Sequence, residues 1–292
     1  MNKANKLLLS ATMAFGFAQA GAGVILTESF EYGGSTLDIR NVSDYTANSG
    51  VLRYVHDVNL THPTLQGETG GSFSEEFDDA DPGKRTAVRT VPSYSYGNVA
   101  QGESIWYSML IQWNVADVAT VIFSNDTGNV QTTGDNSTAL GHGGHFVSAI
   151  GAHIAASGNI SVAFWTDDDN GNSFQALDTG ANASLGATHL LVLRATKGSG
   201  SEPDNSSVDF WLDPTFSDLS TGTPTYQSGA ISKWGRDNQS FNGLYLNSGT
   251  RNHIDEIRVG ESLADLSVIP EPGTLVLVGI ALGGLLLFRR KK

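Results

Sequence analysis

The sequence contains no cysteine, and this absence removes three kinds of chemistry. Thiol catalysis, disulfide frameworks and cysteine-ligated zinc all require that side chain. A chain of 292 residues can bury enough apolar surface to fold without disulfide bonds, so the absence does not argue against export.

Basic residues are also scarce over most of the chain. Residues 21–268 hold 11 of the 17 lysines and arginines but 29 of the 30 acidic residues, so the net charge of this stretch is near −18. Such a surface repels nucleic acid and anionic lipid, and it attracts cations. We therefore expect no nucleic-acid partner, and an acidic surface also serves to keep an exported protein soluble.

Long apolar runs are confined to the two ends, and the first of them resembles an export signal. Two lysines precede the apolar stretch 7–17, and Ala18 and Ala20 then form a small-x-small cleavage site. This pattern predicts a signal peptide over residues 1–20. The same rule is met two residues later by Ala20 and Ala22, which leaves the cleavage position open.

The second apolar run lies at the carboxyl end and covers residues 274–288. Its fifteen residues predict one hydrophobic helix, which is short for a membrane core of about 30 Å unless the flanking residues extend it into the interfaces. The chain closes with four basic residues that should hold this end in the cytoplasm. These four residues are Arg289, Arg290, Lys291 and Lys292.

A short motif stands just before this run, formed by Pro270, Glu271 and Pro272. The motif, the apolar run and the basic end, in this order, resemble the PEP-CTERM sorting signal of Gram-negative bacteria. The resemblance implies an exosortase-type partner that cleaves near the motif, and a mature protein at the cell surface or in the extracellular matrix. An ordinary membrane anchor is the alternative interpretation of residues 267–292.

Residues 21–266 alternate short β-branched and aromatic runs with Gly, Ser, Thr, Asn and Asp, which is typical of an all-β body. The run 104–113 is apolar on both faces and predicts a central strand in a sheet covered on both sides. About a dozen strands are expected, enough for two sheets, with 59–83 and 214–240 mostly loop. The predicted strands are 24–32, 51–58, 85–91, 104–113, 118–124, 145–154, 159–166, 174–177, 188–196, 208–212, 241–246 and 252–259.

Three stretches of this body resemble a concanavalin A-like, laminin-G-type jelly roll. They are the opening 28–32, the pair 189–194 and 208–214, and the closing 253–260. The resemblance implies a two-sheet antiparallel jelly-roll sandwich in which the pair forms a hairpin and the first and last strands are neighbours. Domains of this shape mostly bind carbohydrate or serve as structural modules, and some are glycosidases.

Glycoside hydrolysis requires two carboxyl groups at a set separation. Glycosidases of the concanavalin A-like fold often carry them on one strand as Glu-x-Asp-x-x-Glu or Glu-x-Asp-x-Glu, and neither pattern occurs here. Asp255 and Glu256 are adjacent and should face opposite sides, one paired with an arginine and the other solvated. We therefore expect a protein that is not an enzyme; the alternative is a secreted glycoside hydrolase or lyase with a divergent cleft.

Clustered oxygen ligands suggest one cation site. Calcium prefers carboxylate and carbonyl oxygens, and Asp167, Asp168, Asp169 and Asn170 supply several within one tight turn. A turn in which Asp and Asn bond their own backbone is the alternative reading of the same residues.

Aromatic rings outside predicted strands are candidates for stacking on sugars. Trp234 lies in a polar loop, and Tyr94 and Tyr96 lie in a second loop-like stretch. Together these observations predict an exported, non-enzymatic surface or matrix protein. We expect it to bind extracellular polysaccharide or to have a structural role.

Overall fold

The computed structural model describes twelve stretches of the chain, and these contain sixteen strands and one α-helix. The stretches are 23–32, 36–38, 45–47, 53–56, 58–65, 71–75, 86–124, 149–168, 171–198, 206–231, 240–248 and 251–267. The helix is α1 (Phe216–Thr221), and two 3-10 helices cover Tyr96–Asn98 and Leu263–Leu266. The strands are β1 (Val24–Glu28), β2 (Thr36–Asp38), β3 (Tyr45–Ala47), β4 (Arg53–His56), β5 (Ser72–Glu75), β6 (Thr86–Ser95), β7 (Ser104–Trp113), β8 (Ala119–Ser124), β9 (Ala149–Ile154), β10 (Asn159–Asp168), β11 (Gly171–Asn182), β12 (Ala187–Thr196), β13 (Ser206–Leu212), β14 (Tyr226–Ile231), β15 (Ser240–Ser248) and β16 (His253–Gly260).

The strands form two sheets. One has nine strands in the order β14-β13-β12-β7-β16-β5-β4-β2, with β1 also paired to β16. The other has seven strands in the order β11-β10-β9-β8-β15-β6-β3. Every pairing between the described strands is antiparallel. The predicted all-β, two-sheet antiparallel sandwich is confirmed, while the predicted signal peptide and carboxyl-terminal helix lie outside the described residues.

The pairing of distant strands also follows the prediction. Strand β1 pairs with β16, with Glu28 opposite Ile257, so the first and last strands of the body are neighbours. Strands β12 and β13 form the predicted hairpin, in which Val192 lies opposite Trp211. Strands β9 and β10 form a second hairpin.

Strand β7 holds the centre of the nine-stranded sheet, between β12 and β16. One set of its alternating side chains, such as Tyr107 and Met109, belongs to the main core between the sheets. The other set, Trp106 and Leu110, joins a second apolar cluster with Leu190, Val192 and Trp211. Both faces of the strand are therefore covered, as its double-sided apolar pattern predicts.

The second cluster is covered from outside by three segments. Leu219 of α1, Leu266 of the 3-10 helix Leu263–Leu266, and Leu60 with Leu65 of the segment 58–65 pack against it. Each of these leucines is almost fully buried. Removing such a side chain from water contributes about 1.5–3 kcal/mol, so the outer face of this sheet is a core rather than an open surface.

Two stretches predicted to be loops contain regular structure, and several strands are longer than predicted, β11 most of all. Strand β5 lies within 59–83, and both α1 and β14 lie within 214–240. Helix α1 has only six residues, which is too short to show a 3.6-residue period. Strand β14 alternates poorly because most of its side chains are exposed or half-buried. Strand β11 runs for twelve residues where four were predicted.

The acidic pair near the end of the body also departs from its prediction, because both side chains are fully buried. A register shift in the pairing of β16 with β7 falls between Asp255 and Arg258, and Glu256 has a φ of 47° there. Arg258 Nη2 donates to Glu256 Oε2 at 2.6 Å. Asp255 is not solvated: its carboxylate accepts the Leu60 and Glu256 amides, and burial raises its pKa to about 8.

The seven-stranded sheet carries a row of polar side chains that we call the polar row. The pairing register places Asn247, Thr120, His153, Ser161 and Asp178 side by side across β15, β8, β9, β10 and β11. Their chain neighbours on the first four strands belong to the main core, so the row lies on the opposite face. Thr120 Oγ1 and His153 Nδ1 are 2.8 Å apart.

Candidate functional site

A cleft with a volume of about 280 Å³ lies at the end of the sandwich where β7 begins and β16 ends. We call it the Tyr94 cleft. Its walls combine one aromatic ring, two carboxylates, an amide, a hydroxyl and two small apolar side chains. The lining residues are Tyr94, Asn98, Val99, Ala100, Glu103, Ser104 and Glu261.

Antiparallel pairing explains why residues so far apart in sequence meet here. Gly260, the last residue of β16, lies opposite Trp106 near the start of β7. The residues just beyond these points, Glu261 and Ser104, therefore lie at the same edge of the sheet. Tyr94 comes from the other sheet, near the end of β6, so the cleft spans both layers of the sandwich.

The ring of Tyr94 is held in place on one face and at its hydroxyl. Its ring stacks on Phe241, with centroids 5.6 Å apart and planes at 29°. Its hydroxyl donates to Glu261 Oε1 at 2.9 Å. Burial, and then this hydrogen bond, raise the pKa of Tyr94 well above its ordinary value, so the hydroxyl stays protonated at neutral pH. The ring is therefore fixed in orientation while it remains part of the cleft wall.

The segment beneath the cleft is fixed by a buried lysine. Lys197 Nζ donates to the carbonyl oxygens of Tyr96 and Val99 at 3.0 and 2.9 Å. The Lys197 amide also donates to Glu103 O at 2.9 Å. Bonds to a charged group are worth about 1.5–3 kcal/mol each, so the backbone that carries Asn98 and Glu103 is held rigidly.

The chemistry of the cleft suits a neutral, hydroxyl-rich ligand. Carboxylates accept hydrogen bonds from sugar hydroxyls, an amide both donates and accepts, and an aromatic face packs against the C–H groups of a sugar ring. Glu103, Glu261, Asn98 and Ser104 supply the polar groups and Tyr94 the ring. Among the described residues, the lining has two acidic side chains and no basic one, and these do not suit an anionic ligand.

The three residues predicted to bind a ligand do not lie together in one described site. Tyr94 lines the cleft, although it lies in β6 rather than in a loop. Tyr96 is only 3 % exposed, and its hydroxyl lies 2.9 Å from that of Tyr107. It is a core residue, so its predicted place on a ligand surface is wrong. Trp234 lies outside the described residues.

The predicted cation site is described only in its backbone. Asp167 and Asp168 end β10, and Asp168 lies opposite Gly171, the first residue of β11. Asp169 and Asn170 join these two strands and lie outside the described residues. Among the residues that the structure does describe, no group of three or more His, Asp or Glu side chains is placed to hold a metal ion.

Both ends of the precursor also fall outside the described stretches. Ala18 and Ala20 precede them, and the motif formed by Pro270, Glu271 and Pro272 follows them, as does the basic end from Arg289 onwards. Within the described stretches, none of the helices has the length and apolar character needed to cross a membrane.

Sequence reasoning missed the two carboxylates of the cleft. Glu103 directly precedes the predicted strand 104–113, and Glu261 lies two residues beyond the last predicted strand, 252–259. A search for two acids on a single strand could not find them, because they come from different strands. The signal that could have found them is the predicted antiparallel sheet, since the start of one strand lies beside the end of its neighbour.

Several solved structures are similar to this sandwich. An endo-β-1,4-glucuronan lyase from Trichoderma reesei is 12% identical, with a TM-score of 0.45 over 84% of this chain and 98% of that one. A PL-14 alginate lyase from Aplysia kurodai is 6% identical, with a TM-score of 0.40 over 82% and 99%. A β-glucanase from Bacillus licheniformis is 11% identical, with a TM-score of 0.37 over 82% and 98%.

Comparison with curated protein sequences gives no match. Comparison with protein families gives a match over a short stretch at the carboxyl end. Residues 268–291 match the PEP-CTERM protein-sorting motif. The chain thus carries a PEP-CTERM motif at its carboxyl end, behind a two-sheet antiparallel sandwich, and the motif implies an exported, sorted protein that is processed by exosortase.

Proposed function

We propose that this protein is a non-enzymatic, carbohydrate-binding component of the cell surface or extracellular matrix, and that it binds glycan in the Tyr94 cleft. The observation that carries the proposal is the fixed ring of Tyr94, backed by Phe241 and set in a wall of hydrogen-bonding groups. We also propose that the sandwich is a concanavalin A-like jelly roll. A sorted protein that binds polysaccharide would help to hold the matrix together.

The size and charge of the cleft indicate the kind of glycan. A volume of about 280 Å³ is at the lower end of the range for small-molecule sites. It suits one or two sugar units of a longer chain rather than a fully enclosed ligand. The two carboxylates favour neutral sugars over uronic acids, because like charges facing each other weaken binding.

The experiment is a glycan panel followed by a ring-deletion series at Tyr94. The protein is screened against neutral and acidic oligosaccharides, and the affinity for the best ligand is measured by calorimetry. Tyr94→Ala removes the stacking face and should weaken binding about tenfold, since an aromatic contact contributes about 1–1.5 kcal/mol. Tyr94→Phe keeps the ring and should retain most of the affinity.

The matched control is Tyr96→Phe, which changes a tyrosine two residues away that is buried in the core. It should leave the affinity unchanged. A glycan that binds equally well to wild type and to folded Tyr94→Ala would overturn the proposed site. Thermal melting of each variant separates lost binding from lost folding.

A second candidate function rests on the two carboxylates that share the cleft. Glycoside hydrolases use two carboxyl groups on either side of the scissile bond, and Glu103 and Glu261 line one cavity here. Glu261 already accepts from the Tyr94 hydroxyl and the Gly23 amide. This arrangement favours a positioning role for Glu261 and thus favours binding over hydrolysis.

A sugar-release assay on the same panel decides between the two functions. Reducing ends released by wild type and abolished by both Glu103→Gln and Glu261→Gln would establish the enzyme and refute the binding protein. The proposal predicts no turnover, together with saturable binding that Tyr94→Ala weakens.

A further inference from the structure

The amino-terminal edge of the body lies against the rim of the Tyr94 cleft. The Gly23 nitrogen donates to Glu261 Oε2 at 3.4 Å, and the Glu261 nitrogen donates to Gly23 O at the same distance. The next residue, Val24, begins β1 and lies opposite Gly260 of β16. The body is thus attached to its last strand from Gly23 onwards.

The sequence offers two cleavage frames for the export signal. Ala18 with Ala20 leaves Gly21 as the first residue, and Ala20 with Ala22 leaves Gly23. The residue pattern does not choose between them. The two frames put the new α-ammonium group on different residues. Only cleavage before Gly23 puts it on the nitrogen beside Glu261.

We propose that the mature protein begins at Gly23 and that its α-ammonium group pairs with Glu261 at the rim of the Tyr94 cleft. As a backbone amide, the Gly23 nitrogen offers one donor at a long 3.4 Å. As a mature terminus, the same nitrogen carries a positive charge and three donors. An ammonium group adds Coulomb attraction to a bond in which only the carboxylate is charged.

The charges around the cleft fit this terminus. Within the part of the chain that the structure describes, the lining has Glu103 and Glu261 and no basic side chain. An ammonium group on the rim supplies the opposite charge. Glu261 is held ready for it, because its other oxygen accepts the Tyr94 hydroxyl at 2.9 Å. Export processing would then complete one wall of the cleft, and this holds whatever ligand the cleft binds.

The first test identifies the mature terminus. The full-length precursor is expressed with its own signal in a Gram-negative host, its α-amines are labelled, and the terminal peptide is sequenced by mass spectrometry. The expected terminus is Gly23, followed by Val-Ile-Leu. A terminus at Gly21, or at any other residue, overturns the proposal.

The second test measures the pairing itself in the exported protein. A nearby carboxylate raises the pKa of an amine, so the rate of α-amine labelling across pH 6–9 should give a higher pKa in wild type than in Glu261→Gln. Glu103→Gln removes the other carboxylate of the cleft and should leave the pKa of the α-amine close to its wild-type value. Equal pKa values in wild type and Glu261→Gln, or equal effects of the two substitutions, overturn the pairing. Neither test uses a glycan, so their failure is distinct from failure of the proposed function.

Discussion

At the scale of single residues, His153 shows how burial in the polar row affects protonation. Burial lowers the pKa of His153 to about 4, from an ordinary value near 6.5. The unfolded chain therefore binds a proton between pH 6.5 and 4 that the folded protein excludes. The stability gained by keeping this ring neutral is present above pH 6.5 and is lost as the pH falls toward 4.

We predict that below pH 6.5 the free energy of unfolding depends less on pH in His153→Gln than in wild type. One pKa unit corresponds to about 1.4 kcal/mol, so wild type should lose up to about 3 kcal/mol more than the variant between pH 7 and 4. Urea unfolding at a series of pH values measures this difference, and the remaining titrating groups largely cancel in the comparison. Parallel curves would show that His153 is protonated freely in the folded protein.

Gly151 in the same sheet is required by close approach of two backbones. A Cβ at this position would lie 1.9 Å from Val121 O and 2.7 Å from Ile122 Cα, and neither atom can rotate away. We predict that Gly151→Ala destabilises the protein by about 3 kcal/mol or more, the upper range for overpacking. Gly23→Ala is the matched control, because a Cβ there meets nothing within 4 Å. Equal melting temperatures for the two variants would contradict the packing in this part of the sheet.

Individual site residues were predictable only where the local sequence identifies them. Tyr94 could be selected as an aromatic residue in a Gly- and Ser-rich stretch, and it lines the cleft. Tyr96 shares that local signal but is buried, because the turn after β6 directs its ring toward Tyr107. Glu103 and Glu261 have no local signal, since only strand pairing brings them together. One of the adjacent acids Asp255 and Glu256 was expected in solvent, but both are buried, because a bulge in β16 breaks the alternation on which the expectation relied.

At the scale of elements, strands with a strong pattern were predictable and short or exposed ones were not. The bounds predicted for β7 are those observed, and the hairpin of β12 and β13 is present as expected. Helix α1 escaped detection because its stability comes from its ends. Thr215 and Asp218 form a capping box, and Gly222 ends the helix at a φ of 70°. Such caps contribute about 1 kcal/mol each, without leaving any periodic signal in six residues.

The hairpin of β10 and β11 carries the predicted calcium site. Asp167 and Asp168 end β10, and Asp168 lies opposite Gly171, the first residue of β11. Extracellular modules bind calcium at about 10⁻⁴–10⁻³ M. We predict that 10 mM calcium raises the melting temperature by about 3–11 °C, from mass action on a site of that affinity. Asp169→Asn should abolish the shift and Glu103→Gln should not. If calcium leaves the melting temperature of wild type unchanged, the alternative is correct, namely a turn in which Asp and Asn bond their own backbone.

At the scale of the whole molecule, the sandwich brings its two chain ends to one edge. Val24 lies opposite Gly260, so the start of the first strand and the end of the last strand are neighbours. The Tyr94 cleft lies at this same edge, because Glu261 follows Gly260 directly. The two-sheet architecture could be predicted from the sequence, because turn residues separate the apolar runs throughout the body. The location of the cleft could not, because it depends on which strands are neighbours.

The sorting motif makes a prediction about processing. Proline fixes its own φ and disfavours helix in the preceding residue, so Pro270 and Pro272 keep the segment before the apolar run extended. Replacing Pro270, Glu271 and Pro272 with alanine should leave export intact and block cleavage. Mass spectrometry of the mature carboxyl end, in a host that carries exosortase, measures this outcome. If the wild-type protein retains Arg289 to Lys292 there, the segment acts as a plain anchor.

A sugar ring stacked on Tyr94 is the centre of the proposed function, and the position of a bound oligosaccharide tests it most directly. Intermolecular NOEs are recorded between the best glycan of the panel and protein in which only tyrosine rings carry protons. We expect NOEs from sugar C–H protons to the ring of Tyr94 and none to the buried ring of Tyr96. A bound glycan whose NOEs fall on other tyrosines, or on no tyrosine at all, would contradict it.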